Sequence, residues 1–144
     1  LVRGAGSAAG EIGYLITEPT AFAEDHGTGG DLETRVLALG AASADDSSTM
    51  AVLDQGDDDR AERLLDHIAM SVAALAVILD CRVVILAGRL PRRTDRLIDG
   101  VTRRLGGRIP RPPSLVVGEL GEDAALVGIG QLIIEHVKGA VYLA

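Results

Sequence analysis

Two glycine-rich segments carry the residues most suited to chemistry. The first runs Gly6-Ser7-Ala8-Ala9-Gly10-Glu11-Ile12-Gly13-Tyr14, and the second runs His26-Gly27-Thr28-Gly29-Gly30-Asp31-Leu32-Glu33. Glycine lets backbone approach a ligand closely, so such segments can wrap a small molecule. A carboxylate accepts two or more hydrogen bonds, which suits a hydroxyl-rich ligand such as a sugar. Glu11 and Glu33 are therefore the pair that could converge on one polar ligand. Two glycine-rich surface turns with solvated acids are the alternative reading, because glycine commonly punctuates loops. The single cysteine, Cys81, lies between a helical pattern and an apolar run. It reads as a packed small residue rather than a nucleophile.

The elements that must position these residues follow from local pattern. Residues 1–30 read as glycine-rich loop with a short apolar piece around Tyr14 to Ile16. Asp31 is a fitting N-cap for a helix through Leu39 that Gly40 closes. A polar connector covers Ala41 to Ser48, and a short helix is expected from Thr49 to Asp54. Ala61, Leu64, Leu65, Ile68, Val72, Leu75, Ala76 and Leu79 recur at helical spacing, which predicts a helix over Asp58 to Leu79. Asp57 can cap it, and Asp58 and Asp59 complement its positive end. From Val72 onward this helix is apolar nearly all round, which predicts burial on several sides. His67 is expected on its surface.

Val83 to Leu86 is a continuous β-branched and leucine run, as in a buried strand of a parallel sheet. A helix from about Arg93 to Leu105 follows and ends at Gly106-Gly107. The prolines of residues 109–113 impose an extended connection. Leu115 to Val117 is a second short strand, and a final helix is expected from Glu122 to about Val137. Gly128 and Gly130 weaken that helix and suggest close packing of another backbone. His136 is expected to face solvent near its end. The βαβα order after residue 80 implies a parallel crossover.

The chain has 144 residues, enough for one domain with a real core. Hydrophobic residues make up 47% but aromatic ones only 2%, so that core must be aliphatic and alanine-rich. No run of eighteen apolar residues is present, so no membrane-spanning helix is expected. One cysteine cannot form an internal disulfide and fits a reducing, cytoplasmic setting. The net charge of −7 argues against a grip on DNA phosphates by this portion alone. The charge is uneven, with nine arginines and two acids between residues 82 and 111. Such a run is usually a solvated helix face; contact with a nucleic acid or a protein partner is the other reading.

The same motifs resemble the ROK family (repressor, open reading frame, kinase). Its signature is Ala-Gly-Glu-x-Gly-His, then Cys-x-Cys-Gly-x-x-Gly-Cys-x-Glu. Here the first part reads AGEIGY, and the second reads EDHGTGGDLE from Glu24 to Glu33. Gly27, Gly30 and Glu33 sit in the family register. Gly56-Asp57 with Ala61, the segment from Ile68 to Gly88, and the segment from Leu120 to Leu132 resemble later family motifs in the same order. The resemblance covers nearly the whole chain.

The resemblance implies an α/β fold, the C-terminal lobe of an actin-like ATPase (ribonuclease H-like) fold truncated at its N-terminus. Residues 1–144 would then be a single partial domain, with Leu1 in mid-domain. It also implies sugar contacts from Glu11, Tyr14 and Glu33. The family binds a structural zinc through one histidine and three cysteines, and here those positions hold Tyr14, Glu24, His26 and Asp31. Structural zinc prefers thiolate and imidazole, so no tightly bound zinc is expected. Gly88 is the one candidate for a nucleotide contact; Arg89 replaces a family glycine beside it, which weakens any claim to ATP. The family's phosphate loop, Asp-x-Gly-x-Thr, and its catalytic base, Gly-Asn-Asp, are absent.

Three functions are compatible with this pattern. One is the sugar-sensing, oligomerising effector portion of a ROK-type transcriptional regulator, with no kinase activity of its own. DNA contact would then come only from a winged helix upstream of Leu1, and the protein would be a homo-oligomer, a dimer. Another is a fragment of an ATP-dependent ROK sugar kinase. The third is a module kept only for oligomerisation. A cut sheet edge is also expected to drive self-association.

Overall fold

Helix-forming periodicity dominates the chain, and the computed structural model is accordingly mixed α/β but mostly helical. The residues described are 10–23, 29–40, 49–55 and 58–142. The elements are α1 (Asp31–Gly40), α2 (Asp58–Leu79), β1 (Val83–Leu86), α3 (Thr94–Leu105), β2 (Ser114–Val117) and α4 (Ala124–Tyr142). Short 3-10 turns stand at Ile12–Tyr14, Pro19–Ala23, Thr49–Leu53 and Gly121–Asp123. Strands β1 and β2 pair in parallel, Val83 opposite Ser114 and Leu86 opposite Val117, with α3 as the crossover. The expected Asp57 cap lies outside the described residues.

The core is aliphatic. Leu53, Leu64, Leu65, Leu97 and Val101 are fully buried, and Val52, Ala61, Val72 and Leu105 join them. Val84, Leu86 and Leu115 seal it from one face of the sheet. Helices α2 and α3 cross closely because Gly100 has no side chain: a Cβ there would lie 2.7 Å from Leu65 Cδ1.

Polar groups fix the same crossing. Arg104 donates from Nε to Asp66 at 2.6 Å and from Nη2 to the Glu62 carboxylate at 2.6 Å. Its stem covers the interface while its charge is fully matched. Asp54 accepts from the amides of Arg92 and Arg93, both at 2.9 Å, just ahead of α3. A carboxylate there complements the positive helix end from a distant part of the chain. Arg96 donates to Leu53 O and Asp58. Part of the arginine-rich stretch is therefore used to hold α3 onto the acidic start of α2.

Four expectations need correction. The C-terminal end of α2 is not buried all round: Val77 and Ile78 are 63% and 78% exposed. Strand β1 is covered on one face only, with Val83 and Ile85 exposed on the other. Among the described residues, nothing lies within 4 Å of a Cβ position on Gly128 or Gly130, so none of them packs its backbone there. Glu122 and Asp123 belong to a 3-10 turn, not to the first turn of α4, and α4 continues to Tyr142. His67 is half-buried, whereas His136 is exposed. Among the described residues, no helix is long and apolar enough to cross a membrane.

Candidate functional site

The two glycine-rich segments meet at the start of α1. Gly10, with φ +96°, opens the turn, and Ile12 N donates back to Gly10 O at 2.8 Å. Tyr14 N to Glu11 O and Leu15 N to Ile12 O complete it. This turn lies directly on Gly30. A Cβ on Gly30 would fall on the Gly13 carbonyl and on Tyr14 Cα. Gly13 in turn makes room for Glu33, whose Cβ and Oε2 lie 3.2 and 3.6 Å from where a Gly13 Cβ would be. Glycine is thus required at position 30 and gives a close fit at position 13, for space and not for unusual torsion angles.

The three residues expected to hold a sugar therefore surround one backbone crossing. Glu11 and Tyr14 flank Gly13, and Glu33 stands on the first turn of α1; all three are exposed. Glu11 and Tyr14 line a groove of about 270 Å³ whose opposite wall is Ala74, Leu75 and Ile78 of α2. Glu33 is outside this groove, beside Gly13. A carboxylate and a phenol facing an apolar wall can bind a ligand with a hydroxyl-bearing edge and one apolar face. The α2 wall escaped sequence reasoning, although the all-round apolar end of that helix was its signal.

Asp31 has a different role from the one its position suggests. It is the first residue of α1 and not the cap before it, and it is buried. Its carboxylate accepts from Thr17 N at 2.7 Å, Thr17 Oγ1 at 2.6 Å and Arg35 Nε at 2.6 Å. Arg35 also pairs with Glu18 at 2.7 Å. Burial pushes the Asp31 carboxyl up, but the Thr17 hydroxyl and amide, then the Arg35 guanidinium, outweigh it and hold the pKa at about 2. Asp31 thus stitches the segment after Tyr14 to α1. Thr17 was not legible as a site-supporting residue, because nothing in a sequence couples positions 17 and 31, whereas Arg35 stands at i+4 from Asp31 in the same helix.

This stitch makes stability depend on acid. The native Asp31 pKa, about 2, lies below the ordinary 3.8, so the unfolded chain binds the proton first. Its contribution is complete above pH 3.8 and is lost as pH falls toward 2. Acid unfolding followed by circular dichroism is expected to show this loss in the native chain and not in Asp31→Asn.

Of the four family zinc positions, Glu24 and His26 lie outside the described residues. Among the described residues, no three His, Cys, Asp or Glu side chains group as metal ligands. Gly88, the candidate nucleotide contact, follows β1 with φ +90° and donates its N–H to Gly121 O at 3.0 Å. Arg89 pairs with Glu122 at 3.5 Å. Gly88 stands at the carboxyl end of the parallel strands, where ligands of open α/β sheets commonly bind. Cys81 is half-buried.

Comparison with known proteins finds distant relatives. Over 138 residues, 92% of this chain, it is 28% identical to a bifunctional enzyme NanE/NanK of Brucella melitensis. The bifunctional enzyme NanE/NanK of Brucella suis matches with the same identity and coverage. The chain spans only about a quarter of the length of these relatives, 26% of each. No family profile matches the chain. No solved structure matches it.

Proposed function

We propose that this chain is the sugar-binding effector portion of a ROK-type regulator, built on one lobe of an actin-like fold and without kinase activity of its own. The observation that carries the reading is the packing of Gly30 on Gly13 and Tyr14, which gathers Glu11, Tyr14 and Glu33 around one backbone crossing. Within the groove Glu11 accepts hydrogen bonds from sugar hydroxyls, Tyr14 donates one, and the Ala74, Leu75 and Ile78 wall takes the apolar face of the ring, while Glu33, outside the groove beside Gly13, accepts from hydroxyls beyond it. The family's means of activating a hydroxyl, the phosphate loop and the catalytic acid, are not among these 144 residues. Sugar binding would bias the arrangement of protomers and, through a winged helix elsewhere in the protein, the spacing of DNA contacts.

A second reading is favoured by the relatives. The relatives are named as bifunctional enzymes, and in this reading the chain contributes the sugar-binding part of a ROK sugar kinase. Both readings share the same sugar contacts.

Titration calorimetry against a panel of hexoses and amino sugars tests the shared premise. Glu11→Gln and Glu33→Gln are each expected to weaken the sugar that binds by about 1–3 kcal/mol, the range for a charge-assisted hydrogen bond. Unchanged affinity in both variants would remove the site. Phosphate transfer from ATP to that sugar by the full-length protein that contains these residues would replace the regulator reading with the kinase one.

A further inference from the structure

The segment that follows Tyr14 is held to α1 by an alternation of charges. Asp31, the first residue of α1, is 1% exposed, and its carboxylate is met from two sides. Thr17 donates its amide and its hydroxyl to Oδ2, at 2.7 and 2.6 Å. Arg35, one turn further along α1, donates from Nε to Oδ1 at 2.6 Å. The same guanidinium reaches Glu18 Oε1 from Nη1 at 2.7 Å. Thr17 and Glu18 are neighbours in the chain, so an aspartate and an arginine of one helical turn grip two successive residues. Gly30, immediately before Asp31, packs on Gly13 and Tyr14. The turn that carries Glu11 and Tyr14 is thereby bracketed, by backbone contact ahead of α1 and by charge within it.

Asp31 also stands at one of the family's zinc positions, so the chemistry of its carboxylate decides whether a metal fits there. Zinc binds a carboxylate oxygen at about 2.0–2.2 Å and needs a free lone pair to do so. Both Asp31 oxygens are engaged, Oδ2 by two donors and Oδ1 by a guanidinium. A divalent cation on Oδ1 would be repelled by Arg35 and would compete with it for the same oxygen. Without Asp31, three of the four positions remain, and one is the neutral phenol of Tyr14. Structural zinc takes four ligands, preferably thiolate and imidazole. The surroundings of Asp31 do not fit the metal; they fit a cation that is part of the chain.

We infer that Arg35 is a positioning residue of the sugar groove, an internal cation that holds Glu11 and Tyr14 against α1 through Asp31, Thr17 and Glu18 in place of a metal ion. The link to sugar rests on the function proposed above; the clasp itself does not.

Amide exchange over Ile12 to Glu18, read by mass spectrometry in the full-length protein that contains these residues, tests the clasp without any sugar. Arg35→Met keeps the length of the stem and removes the charge, whereas Arg35→Lys keeps the charge and loses the fork. Exchange is expected to quicken at least about 10-fold in Arg35→Met, the effect of losing charge-assisted hydrogen bonds, and by less in Arg35→Lys. Segments from α2 and α3 are expected to exchange as before. In the native protein, neither EDTA nor added zinc is expected to alter exchange over Ile12 to Glu18. Native rates in Arg35→Met overturn the inference. So do equal effects of the Met and Lys variants, which would make Arg35 a packing residue. Slowing by zinc or quickening by EDTA in the native protein would return the task to a metal. Glu18→Gln, at an exposed position, opens one arm of the clasp if Arg35→Met does not fold, and native rates there overturn the inference equally. Sugar affinity is expected to fall in the order native, Arg35→Lys, Arg35→Met, and equal affinity in all three would overturn the positioning role. A native protein that binds no sugar removes the proposed function and with it the link to sugar, while the exchange rates still decide the clasp.

Discussion

Gly30→Ala is expected to separate the candidate site from α1 while leaving the α2–α3 core standing. The added methyl would overlap the Gly13 carbonyl and Tyr14 Cα. Both are backbone, so no rotamer change can relieve the overlap, and the turn at Ile12–Tyr14 must move as a unit. Overpacking of this kind costs about 1–3 kcal/mol, and contact with backbone places it at the upper end. That cost falls on the docking of one turn, because the three atoms nearest the added methyl all belong to the backbone of Gly13 and Tyr14. Amide exchange at Ile12 to Leu15 is expected to quicken sharply, with the urea midpoint of the core little changed. Sugar affinity is expected to fall about 100-fold, the equivalent of roughly 3 kcal/mol. Unaltered exchange at Ile12 to Leu15 would mean that the contact with Gly30 does not hold the turn.

Leu65→Ala is expected to produce the larger loss of global stability. Leu65 is 1% exposed and fills the space that Gly100 leaves between α2 and α3. Truncating a buried leucine costs about 2–5 kcal/mol, with the upper part of the range reached where neighbours cannot collapse. Here Arg104 and its two carboxylates fix the crossing of the helices, which limits how far they can readjust around a void. The pair also predicts non-additivity. Gly100→Ala alone is expected to cost about 1–2 kcal/mol, because the Leu65 methyl can shift only partly. In the Leu65→Ala background the same change refills the void and is expected to be neutral or stabilising. Urea unfolding of the four chains of the cycle gives the coupling directly. Additive effects would show that Leu65 and Gly100 do not share a contact.

Most of the helical frame was legible. The eight apolar positions from Ala61 to Leu79 fix α2, and the β-branched run fixes β1, because each pattern has one period that a single element satisfies. Coverage was not legible. Periodicity says that a face is apolar without saying what lies on it, so the end of α2 and both faces of β1 were expected to be buried and are not. The candidate site divides in the same way. Glu11 and Glu33 stand out by residue type among glycines. The Gly30–Gly13 crossing does not, because a backbone contact leaves no side-chain signature. Asp31 was misread because an aspartate at a helix start has a local explanation. Its actual partner, Thr17, is 14 residues back along the chain.

The aliphatic core has an optical consequence. The chain contains no tryptophan, two tyrosines and one phenylalanine. Phe22 is 79% exposed, and Tyr14 stands in the groove beside Glu11. Tyr142 closes α4. Emission from Tyr14 therefore originates at the candidate sugar groove, and neither α2 nor α3 carries a tryptophan, tyrosine or phenylalanine. Tyr14 is a built-in reporter of the groove, and its emission does not come from the core whose melting it would ordinarily be used to follow.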